Sequence, residues 1–293
     1  MGGADQHFPA RASLLPGAVS QASHEPVRAP TVLARLAALT DAVYGPTFTF
    51  FDDLGQTALL AASALSWAVR PPFRPSQLLL ALDFVGAGST FIVVLVGLFT
   101  GMAFTVSTIV GFRQFSAEGM VGGVVALALA RELAPVLASV VVTARAGSTM
   151  ASELGNMRVT EQIDAITTMG VSPVQYLVAP RVIATTLVLP LLATCFGLAG
   201  QLGAYVVAVL WQGIDPGIFL DHIPQLMTVA DLRMMVIKSF VFGFVVSVIC
   251  CKHGFYASGG ARGVGEATAR AVVASIVAIF ACDYVLTAVL TEI

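Results

Sequence analysis

The amino-acid sequence predicts an all-α integral membrane protein with about five transmembrane helices. Of its 293 residues, 57% are hydrophobic and only 11% are charged, and the mean hydropathy is +0.88. A soluble domain needs far more charged surface than this. Five apolar stretches are long enough to cross a bilayer, and a short polar segment follows the second of them. These observations place almost the whole chain in or against a membrane.

The N-terminal part differs in composition from the rest. The first 30 residues contain four prolines among Ala, Ser and a few charged residues, without an apolar run. This composition predicts a disordered tail over residues 1–46 rather than a cleavable signal peptide. Residues 47–293 form the predicted membrane domain. Its first segment, residues 47–69, is too short in its fully apolar part to span a bilayer, so we expect an interfacial helix there.

Five apolar runs, separated by polar residues, glycine and proline, predict the transmembrane helices. The predicted spans cover residues 84–112, 121–150, 178–212, 234–255 and 267–290. Gly97 and Gly101 in the first span form a GxxxG pair, which permits close contact with another helix.

The basic residues beside the spans predict the orientation, because cytoplasmic loops carry an excess of Lys and Arg. Basic side chains precede the first span, lie between the second and third, and flank the turn between the fourth and fifth. The opposite side has two arginines, and its largest loop contains three aspartates. The N-terminus is therefore predicted to be cytoplasmic and the C-terminus to lie outside, which agrees with five spans.

A charged segment between the second and third spans predicts a short amphipathic helix over residues 158–169. Its apolar positions fall on one helical face and its polar positions lie mostly elsewhere. The apolar positions are Val159, Ile163, Ile166 and Met169, and the polar ones are Glu161, Gln162, Asp164 and Thr168. Gly170 is suited to end the helix, and Pro173 to prevent its continuation. Such a helix at the membrane surface suits docking to a partner.

Ionisable residues at membrane depth cost about 2.5–3.5 kcal/mol each on insertion scales, so they normally face protein or water. The second span contains Arg131, Glu132 and Arg145, and the residues that we consider for a polar site are Arg131, Glu132, Lys238 and Asp283. Pro135 lacks a backbone N–H, so it frees the carbonyl of Arg131 and predicts a kink beside two charges. The four charges could form a net-neutral polar cluster inside the bundle. Two structural alternatives stay open, namely an ion pair between helices and a Lys238 side chain that snorkels to the outer interface.

Other functional classes find little support in the sequence. The net charge of −2 provides no basic field for nucleic acid. The four histidines are scattered, and the four cysteines lie in apolar stretches without zinc-ligand spacing, so we predict no metal site. We also predict no catalytic residue, because no Ser, His or metal constellation supports one.

Several motifs, in the right order, resemble the MlaE (YrbE) family of ABC-transporter permeases from about residue 73 to the C-terminus. The motifs are ARELAP at 130–135, ARAGS at 144–148, ELGNMRVTEQ at 153–162, IKS at 237–239, ATARAVV at 267–273 and DYVLTA at 283–288. Together they are much more specific than any one of them.

The resemblance implies a permease subunit in a bacterial inner membrane that pairs with a second permease copy, either identical or a paralogue. It implies cytoplasmic ABC ATPase subunits, which would bind ATP and Mg, so this chain would carry no cofactor. MCE-domain substrate-binding proteins would lie on the outer side. Such complexes move phospholipid or another hydrophobic molecule between membranes.

The resemblance also implies roles for particular residues. Segment 158–169 would be the helix that couples the permease to the ATPase. The coupling residues would be Arg158, Glu161, Gln162, Asp164 and Met169. The polar positions around the lipid cavity would be Arg131, Glu132, Lys238 and Asp283.

Two other functions stay open from the residues alone. An ion-coupled secondary transporter could use Glu132 and Asp283 as proton sites, although we see no inverted repeats in the sequence. An intramembrane enzyme could use either carboxyl group as an acid or base. Without the resemblance, the transporter classes would be almost equally supported.

Overall fold

The computed structural model describes residues 52–67 and 75–291, and within these two ranges the regular secondary structure is helical. The predicted tail, residues 1–46, lies outside the described residues, as do both ends of the predicted interfacial helix. Helix α1 covers residues 52–67. The other helices are α2 (Pro75–Arg113), α3 (Glu118–Val159), α4 (Gln162–Thr168), α5 (Val174–Trp211), α6 (Pro216–Leu226), α7 (Val229–Phe255) and α8 (Gly260–Thr291).

Five of the described helices, α2, α3, α5, α7 and α8, are long and apolar enough to cross a membrane. The prediction of an all-α membrane protein with five spans is therefore confirmed. The helices are longer than the apolar runs that predicted them. For example, α2 begins at Pro75 rather than at residue 84, and α3 continues to Val159 rather than ending at residue 150. Hydropathy marks only the part that suits hydrocarbon, whereas the helical hydrogen bonds continue into the polar interface.

Helices α3, α5 and α7 form the centre of the bundle. Between 50% and 61% of the residues in their apolar stretches are buried, compared with 17% in α2 and 11% in α8. Helix α2 packs along α5, and α8 packs along α7 and α3. Exposed apolar side chains on the two outer helices include Phe91, Phe99, Val277 and Phe280. Both outer helices therefore have apolar faces that the described chain does not cover.

Close contact between α2 and α5 depends on glycine in both helices. A Cβ atom at Gly101 would lie 1.9 Å from the carbonyl oxygen of Gly200, and one at Gly97 would lie 2.6 Å from that of Phe196. The predicted GxxxG pair thus brings together two helices of the same chain, at a separation that a side chain would prevent.

Helix α3 contains two π-helical segments, Leu129–Leu133 and Thr143–Gly147. Such segments are rare and occur frequently at functional sites, because the extra residue in the turn redirects side chains. Each of the two contains an arginine, Arg131 in the first and Arg145 in the second.

The first π segment ends just before Pro135, where the sequence predicts a free carbonyl. Pro135 cannot donate a hydrogen bond to the carbonyl of Arg131. That carbonyl instead accepts a hydrogen bond from Lys238 Nζ at 2.9 Å. A side chain of α7 therefore satisfies the backbone group that the proline leaves without its helical partner.

The prediction of one continuous amphipathic helix over residues 158–169 is wrong, because this range is divided between the end of α3 and α4. Helix α3 ends at Val159, and Glu161 has a φ of 59°, so the chain turns before α4 begins at Gln162. A residue in the left-handed region cannot continue a right-handed helix. Arg158 consequently belongs to the last turn of α3. The predicted apolar face is also incomplete, because Met169 is 71% exposed.

The end of α4 agrees with the prediction that Gly170 closes it. Gly170 has a φ of 76°, a conformation that glycine adopts without steric cost. The N–H of Val171 donates to the carbonyl of Ile166 at 3.3 Å, which is the outer hydrogen bond of a Schellman cap.

A second apolar cluster joins α1 and α4 to the ends of three spanning helices. Ile163 of α4 is 1% exposed, and Leu60 and Ala64 of α1 are 4% and 1% exposed. The remaining members are Leu154 of α3, Leu177, Val178 and Val182 of α5, and Val248 and Cys251 of α7. We call this group the junction cluster. It fixes both short helices to the same end of the bundle.

Candidate functional site

A polar cluster lies inside the bundle, between three spanning helices. It consists of Glu132 on α3, Lys238 on α7, and Asp283 and Thr287 on α8. Helical periodicity places Asp283 and Thr287, four residues apart, on the same face of α8. The first π segment of α3 contains Glu132. Three of the four residues predicted to form a polar cluster therefore meet, together with a threonine.

Lys238 Nζ is the centre of this polar cluster. It lies 2.8 Å from Glu132 Oε2, 2.9 Å from Asp283 Oδ1 and 2.7 Å from Thr287 Oγ1. The carbonyl oxygen of Arg131 lies 2.9 Å away. An ammonium group has three N–H donors, so four oxygens compete for them. Asp283 Oδ1 is buried without a hydrogen bond of its own, and it interacts with Lys238 through charge.

The formal charges of the polar cluster do not cancel. One lysine faces two carboxyl groups, which leaves one negative charge in excess if both are ionised. The prediction of a net-neutral cluster that includes the Arg131 side chain is therefore wrong. Arg131 Nε lies 2.6 Å from Asp231 Oδ1, and the guanidinium pairs with that carboxylate instead.

Asp231 ties Arg131 to the start of α7. Its Oδ2 accepts hydrogen bonds from the backbone N–H of Thr228 at 2.7 Å and from the Thr228 hydroxyl at 2.8 Å. Thr228 and Asp231 form a capping box, which satisfies N–H groups that the first turn of a helix leaves free. Because Asp231 is 3% exposed, this contact joins α3 to α7 from within the protein.

Burial differs sharply within the polar cluster. The side chain of Lys238 is 0% exposed, that of Asp283 is 17% exposed and that of Glu132 is 41% exposed. The alternative in which Lys238 snorkels to the outer interface is therefore wrong. A buried lysine that lost its carboxylates would be strongly destabilising, whereas Glu132 is accessible to a ligand.

A cleft of about 210 Å³ lies beside the polar cluster. Its walls include Arg131, Asp231, Arg233 and Ile237, with Leu290 of α8 opposite. It combines two arginines, one buried aspartate and apolar side chains. Such a surface can receive a molecule that has both a charged group and a hydrocarbon part.

The predicted coupling residues lie on or beside α4, mostly at the surface. Arg158 Nη1 lies 2.6 Å from Asp164 Oδ1, which links the last turn of α3 to α4. Gln162 donates to the hydroxyl of Thr160 at 3.0 Å. Glu161 and Met169 are exposed. The five residues therefore occupy one surface region, whereas the buried Ile163 anchors it.

Helix α1 has a polar link to the bundle in addition to its apolar one. Lys252 Nζ, in the last turn of α7, lies 2.5 Å from Asp53 Oδ1. The hydrogen bond from Lys252 lowers the pKa of the Asp53 carboxyl, because it stabilises the ionised form. This ion pair and the junction cluster hold α1 against the same end of the bundle as α4.

Sequence reasoning missed two residues of the site. Thr287 appeared only as part of a family motif, although its position four residues after Asp283 is a usable signal on a helix. Asp231 is one of the three loop aspartates that the sequence uses only to predict the orientation. Its role in pairing with Arg131 depends on tertiary packing across 100 residues of chain, which no local pattern reveals. In the described ranges, no group of three His, Cys, Asp or Glu side chains could hold a metal ion.

The sequence matches a protein family over most of its length. The family model described as Permease MlaE matches residues 78–289. This range contains all five spanning helices almost completely, together with the polar cluster and α4.

Curated relatives agree with this family match. A probable ABC transporter permease protein of Rickettsia typhi is 36% identical over 247 residues, which cover 84% of this chain and 95% of the relative. A probable ABC transporter permease protein of Synechocystis is 42% identical over 205 residues, covering 70% of this chain and 78% of the relative. The chloroplastic protein TRIGALACTOSYLDIACYLGLYCEROL 1 of Arabidopsis thaliana is also 42% identical, over 70% of this chain and 59% of its own length.

Proposed function

The chain belongs to the MlaE permease family, and on that premise we propose that it moves phospholipid or another hydrophobic molecule between membranes as the membrane subunit of an ABC transporter. A separate cytoplasmic ATPase subunit binds ATP and Mg and supplies the energy. The chain itself contributes no catalytic group.

The observation that carries this proposal is the anchoring of α4. The exposed side chains of Gln162 and Asp164, together with Glu161 just before the helix, face a partner, while Ile163 is buried among side chains of α3, α5 and α7. A push on the exposed surface would therefore move three spanning helices together, because close-packed interiors transmit displacement rather than absorb it. This is the arrangement that a coupling helix requires.

The proposed mechanism is mechanical. ATP binding brings the ATPase subunits together, α4 transmits the motion, and the junction cluster passes it to α3, α5 and α7. These helices also provide Glu132 and Lys238, so the polar cluster and the cleft beside it change shape at the other end of the bundle. The cavity then narrows and releases its lipid.

The partners follow from the surfaces that the chain leaves uncovered. Helices α2 and α8 have mostly unburied apolar stretches, which supports contact with a second permease copy, identical or paralogous, as well as with lipid. MCE-domain proteins would bind at the end opposite α4. We place the protein in a bacterial inner membrane with its α4 end on the cytoplasmic side. The Lys and Arg residues beside the spans are more numerous at this end, as is typical of cytoplasmic loops.

A lipid is favoured as the transported molecule for two reasons. The name of one relative contains that of a galactolipid, trigalactosyldiacylglycerol. The cleft beside the polar cluster has charged and apolar walls, as an amphiphile requires. Ion-coupled transport through Glu132 and Asp283 is the alternative. It fits the excess carboxyl group, but an ABC-type relative gives no reason to expect an ion gradient.

Charge reversal on the exposed surface of α4 tests the proposal. We expect Glu161→Lys combined with Asp164→Lys to abolish lipid transfer by the reconstituted complex, because the surface that meets the ATPase changes sign. The amount of protein in the membrane should stay unchanged. The lost Arg158–Asp164 pair is exposed on both sides, and such pairs contribute only about 0–1 kcal/mol.

Asp221→Lys provides the matched control, since Asp221 is an exposed aspartate on α6. This variant should transfer lipid at the wild-type rate. Wild-type transfer by the α4 variant would rule out the docking role of α4.

A further inference from the structure

Arg145 differs from every other buried or partly buried charge in the described residues. It is partly buried in α3, and no carboxylate of the described residues lies within 4.0 Å of its nitrogens. The other Lys, Arg, Asp and Glu side chains that are buried or partly buried in these ranges all have an ion-pair partner. They are Glu118, Glu132, Arg158, Arg181, Asp231, Lys238, Lys252 and Asp283. An ionisable side chain at membrane depth without a partner is a candidate for function.

The position of the Arg145 guanidinium is well defined. Nη1 donates to the carbonyl of Phe84 at 3.1 Å and to the hydroxyl of Ser89 at 3.0 Å. The Phe84 ring lies beneath it, with 5.7 Å from Cζ to the ring centroid. A Cβ atom at Gly88 would lie 2.4 Å from Nη2. The lack of a side chain at position 88 therefore admits the guanidinium between α2 and α3.

Most of the hydrogen-bonding capacity of Arg145 remains available. A guanidinium has five N–H donors, and both of its hydrogen bonds to other described residues come from Nη1. No hydrogen bond to another described residue engages Nε or Nη2. Gly88, against which Nη2 lies, is exposed, and so is Ala144, the residue before Arg145. The geometry thus presents a donor fork at an opening between two helices.

The depth of Arg145 suits a lipid phosphate. A rise of 1.5 Å per residue places Arg145 roughly 20 Å from Glu132 along α3, and roughly 10 Å from the midpoint of that helix toward its α4 end. A hydrocarbon core about 30 Å thick ends about 15 Å from its midplane, so with the helix midpoint at the midplane the backbone of Arg145 lies about 5 Å inside the core. An arginine side chain there reaches the layer in which phosphate groups lie.

Phe84, whose ring lies against the Arg145 guanidinium, also lines a neighbouring cleft of about 230 Å³, although Arg145 itself is not one of the lining residues. Phe84, Met150 and Leu177 contribute apolar walls to this cleft. Glu153 and Arg181 also line it, with Arg181 Nη2 3.1 Å from Glu153 Oε2. An ammonium group and a phosphate of one headgroup would both find opposite charges here.

We propose that Arg145, together with the cleft beside Phe84, binds the phosphate of a phospholipid headgroup at the α4 end of the bundle. A planar guanidinium recognises two phosphate oxygens at once. This site is separate from the polar cluster, which lies nearer the other membrane face. It rests on the proposed function in one respect, because the lipid it holds is the kind of molecule that the permease is proposed to move.

Lipid binding to the full-length protein tests the site without measuring transport. The delipidated protein in detergent is titrated with phosphatidylethanolamine and, separately, with diacylglycerol that has the same acyl chains, and binding is measured by native mass spectrometry. The wild type should prefer the phosphate-containing lipid by about tenfold or more, as expected for charge-assisted hydrogen bonds. Arg145→Gln should lose this preference, and Arg145→Lys should retain part of it, because it keeps the charge but not the fork.

A second pair of variants leaves Arg145 in place. Gly88→Ala puts a methyl group against the guanidinium and should lower the preference. Gly86→Ala is the matched control, since its Cβ would lie 3.4 Å from a Val188 methyl group, an ordinary contact. The control should bind as the wild type does.

Two outcomes would overturn the proposal. Wild-type preference in folded Arg145→Gln and Gly88→Ala proteins would remove Arg145 from lipid binding. Binding of inorganic phosphate that depends on Arg145, without binding of phosphatidylethanolamine, would assign the site to a soluble anion. Failure to recover an ATPase subunit would contradict the proposed function instead, and it would leave this binding result unaffected.

Discussion

The two π-helical segments of α3 place charged residues on either side of the helix midpoint, in opposite surroundings. In the first segment, Glu132 meets Lys238, which is 0% exposed and bound from α8 as well. In the second segment, Arg145 meets no carboxylate of the described residues, and it contacts a backbone carbonyl, a serine hydroxyl and the Phe84 ring instead. Ionic contacts between helices thus enclose the first region. In the second region, N–H groups of Arg145 remain without a hydrogen bond to another described residue.

This difference separates two uses of charge inside a membrane protein. A buried ion that other helices neutralise fixes how those helices pack, and losing one partner leaves an uncompensated charge. An ion without a partner contributes little to packing and is free to bind a ligand. The polar cluster should therefore respond to mutation mainly through stability, and Arg145 mainly through binding.

The largest effect is expected from Lys238→Met, which leaves Glu132 and Asp283 facing each other without a cation. Breaking such a pair costs about 3–5 kcal/mol. Thermal unfolding in detergent, followed by size-exclusion chromatography, should show a large fall in the unfolding temperature. The triple variant Lys238→Met, Glu132→Gln and Asp283→Asn should recover much of this loss, because it leaves no buried charge. A single variant as stable as the wild type would remove the structural role of the cluster.

An intermediate effect is expected from Glu132→Ala. Lys238 retains Asp283 in this variant, so the loss of stability should be about 1–3 kcal/mol. Lipid transfer, or ATPase activity that responds to lipid, should fall because Glu132 is the accessible member of the cluster. Glu118→Ala is the matched control, because Glu118 is also on α3, its side chain is 39% exposed compared with 41% for Glu132, and it forms an ion pair with Arg113 of α2. Transfer at the wild-type rate by a folded Glu132→Ala protein would exclude a role at the lipid cavity.

The smallest effect on stability is expected from Arg145→Gln. The variant loses one or two hydrogen bonds but also removes an uncompensated charge, so its free energy of unfolding should change by no more than about 0.5–1 kcal/mol. The same unfolding assay measures this change. A loss as large as that of Lys238→Met would mean that Arg145 holds α2 and α3 together, and the contrast between the two segments would fail.

The sequence predicts much of this architecture because membrane burial leaves a strong local signal. Uncharged runs identify the five spans, and Gly170 marks the end of α4 through its backbone conformation. The charges at 132, 238 and 283 stand out because each interrupts an apolar run. Their high cost in hydrocarbon makes a shared cluster a reasonable expectation.

Features that depend on tertiary packing are harder to predict from the sequence. The partner of Arg131 is Asp231, 100 residues away, and the sequence offers many other carboxylates. The break at Glu161 depends on a single left-handed residue inside an otherwise helical pattern. The sequence alone does not show that Arg145 lacks a carboxylate partner among the described residues, because this depends on the packing of every neighbouring helix.

The most direct measurement is purification of the intact protein from its membrane in mild detergent, followed by mass spectrometry of the proteins and lipids that remain bound. The account predicts an ABC ATPase subunit in equal number to this chain, two of each in the complex, together with phospholipid. An oligomer of this chain alone, without an ATPase subunit, would contradict the account. Glu132 and Asp283 would then be tested as proton sites of an ion-coupled carrier.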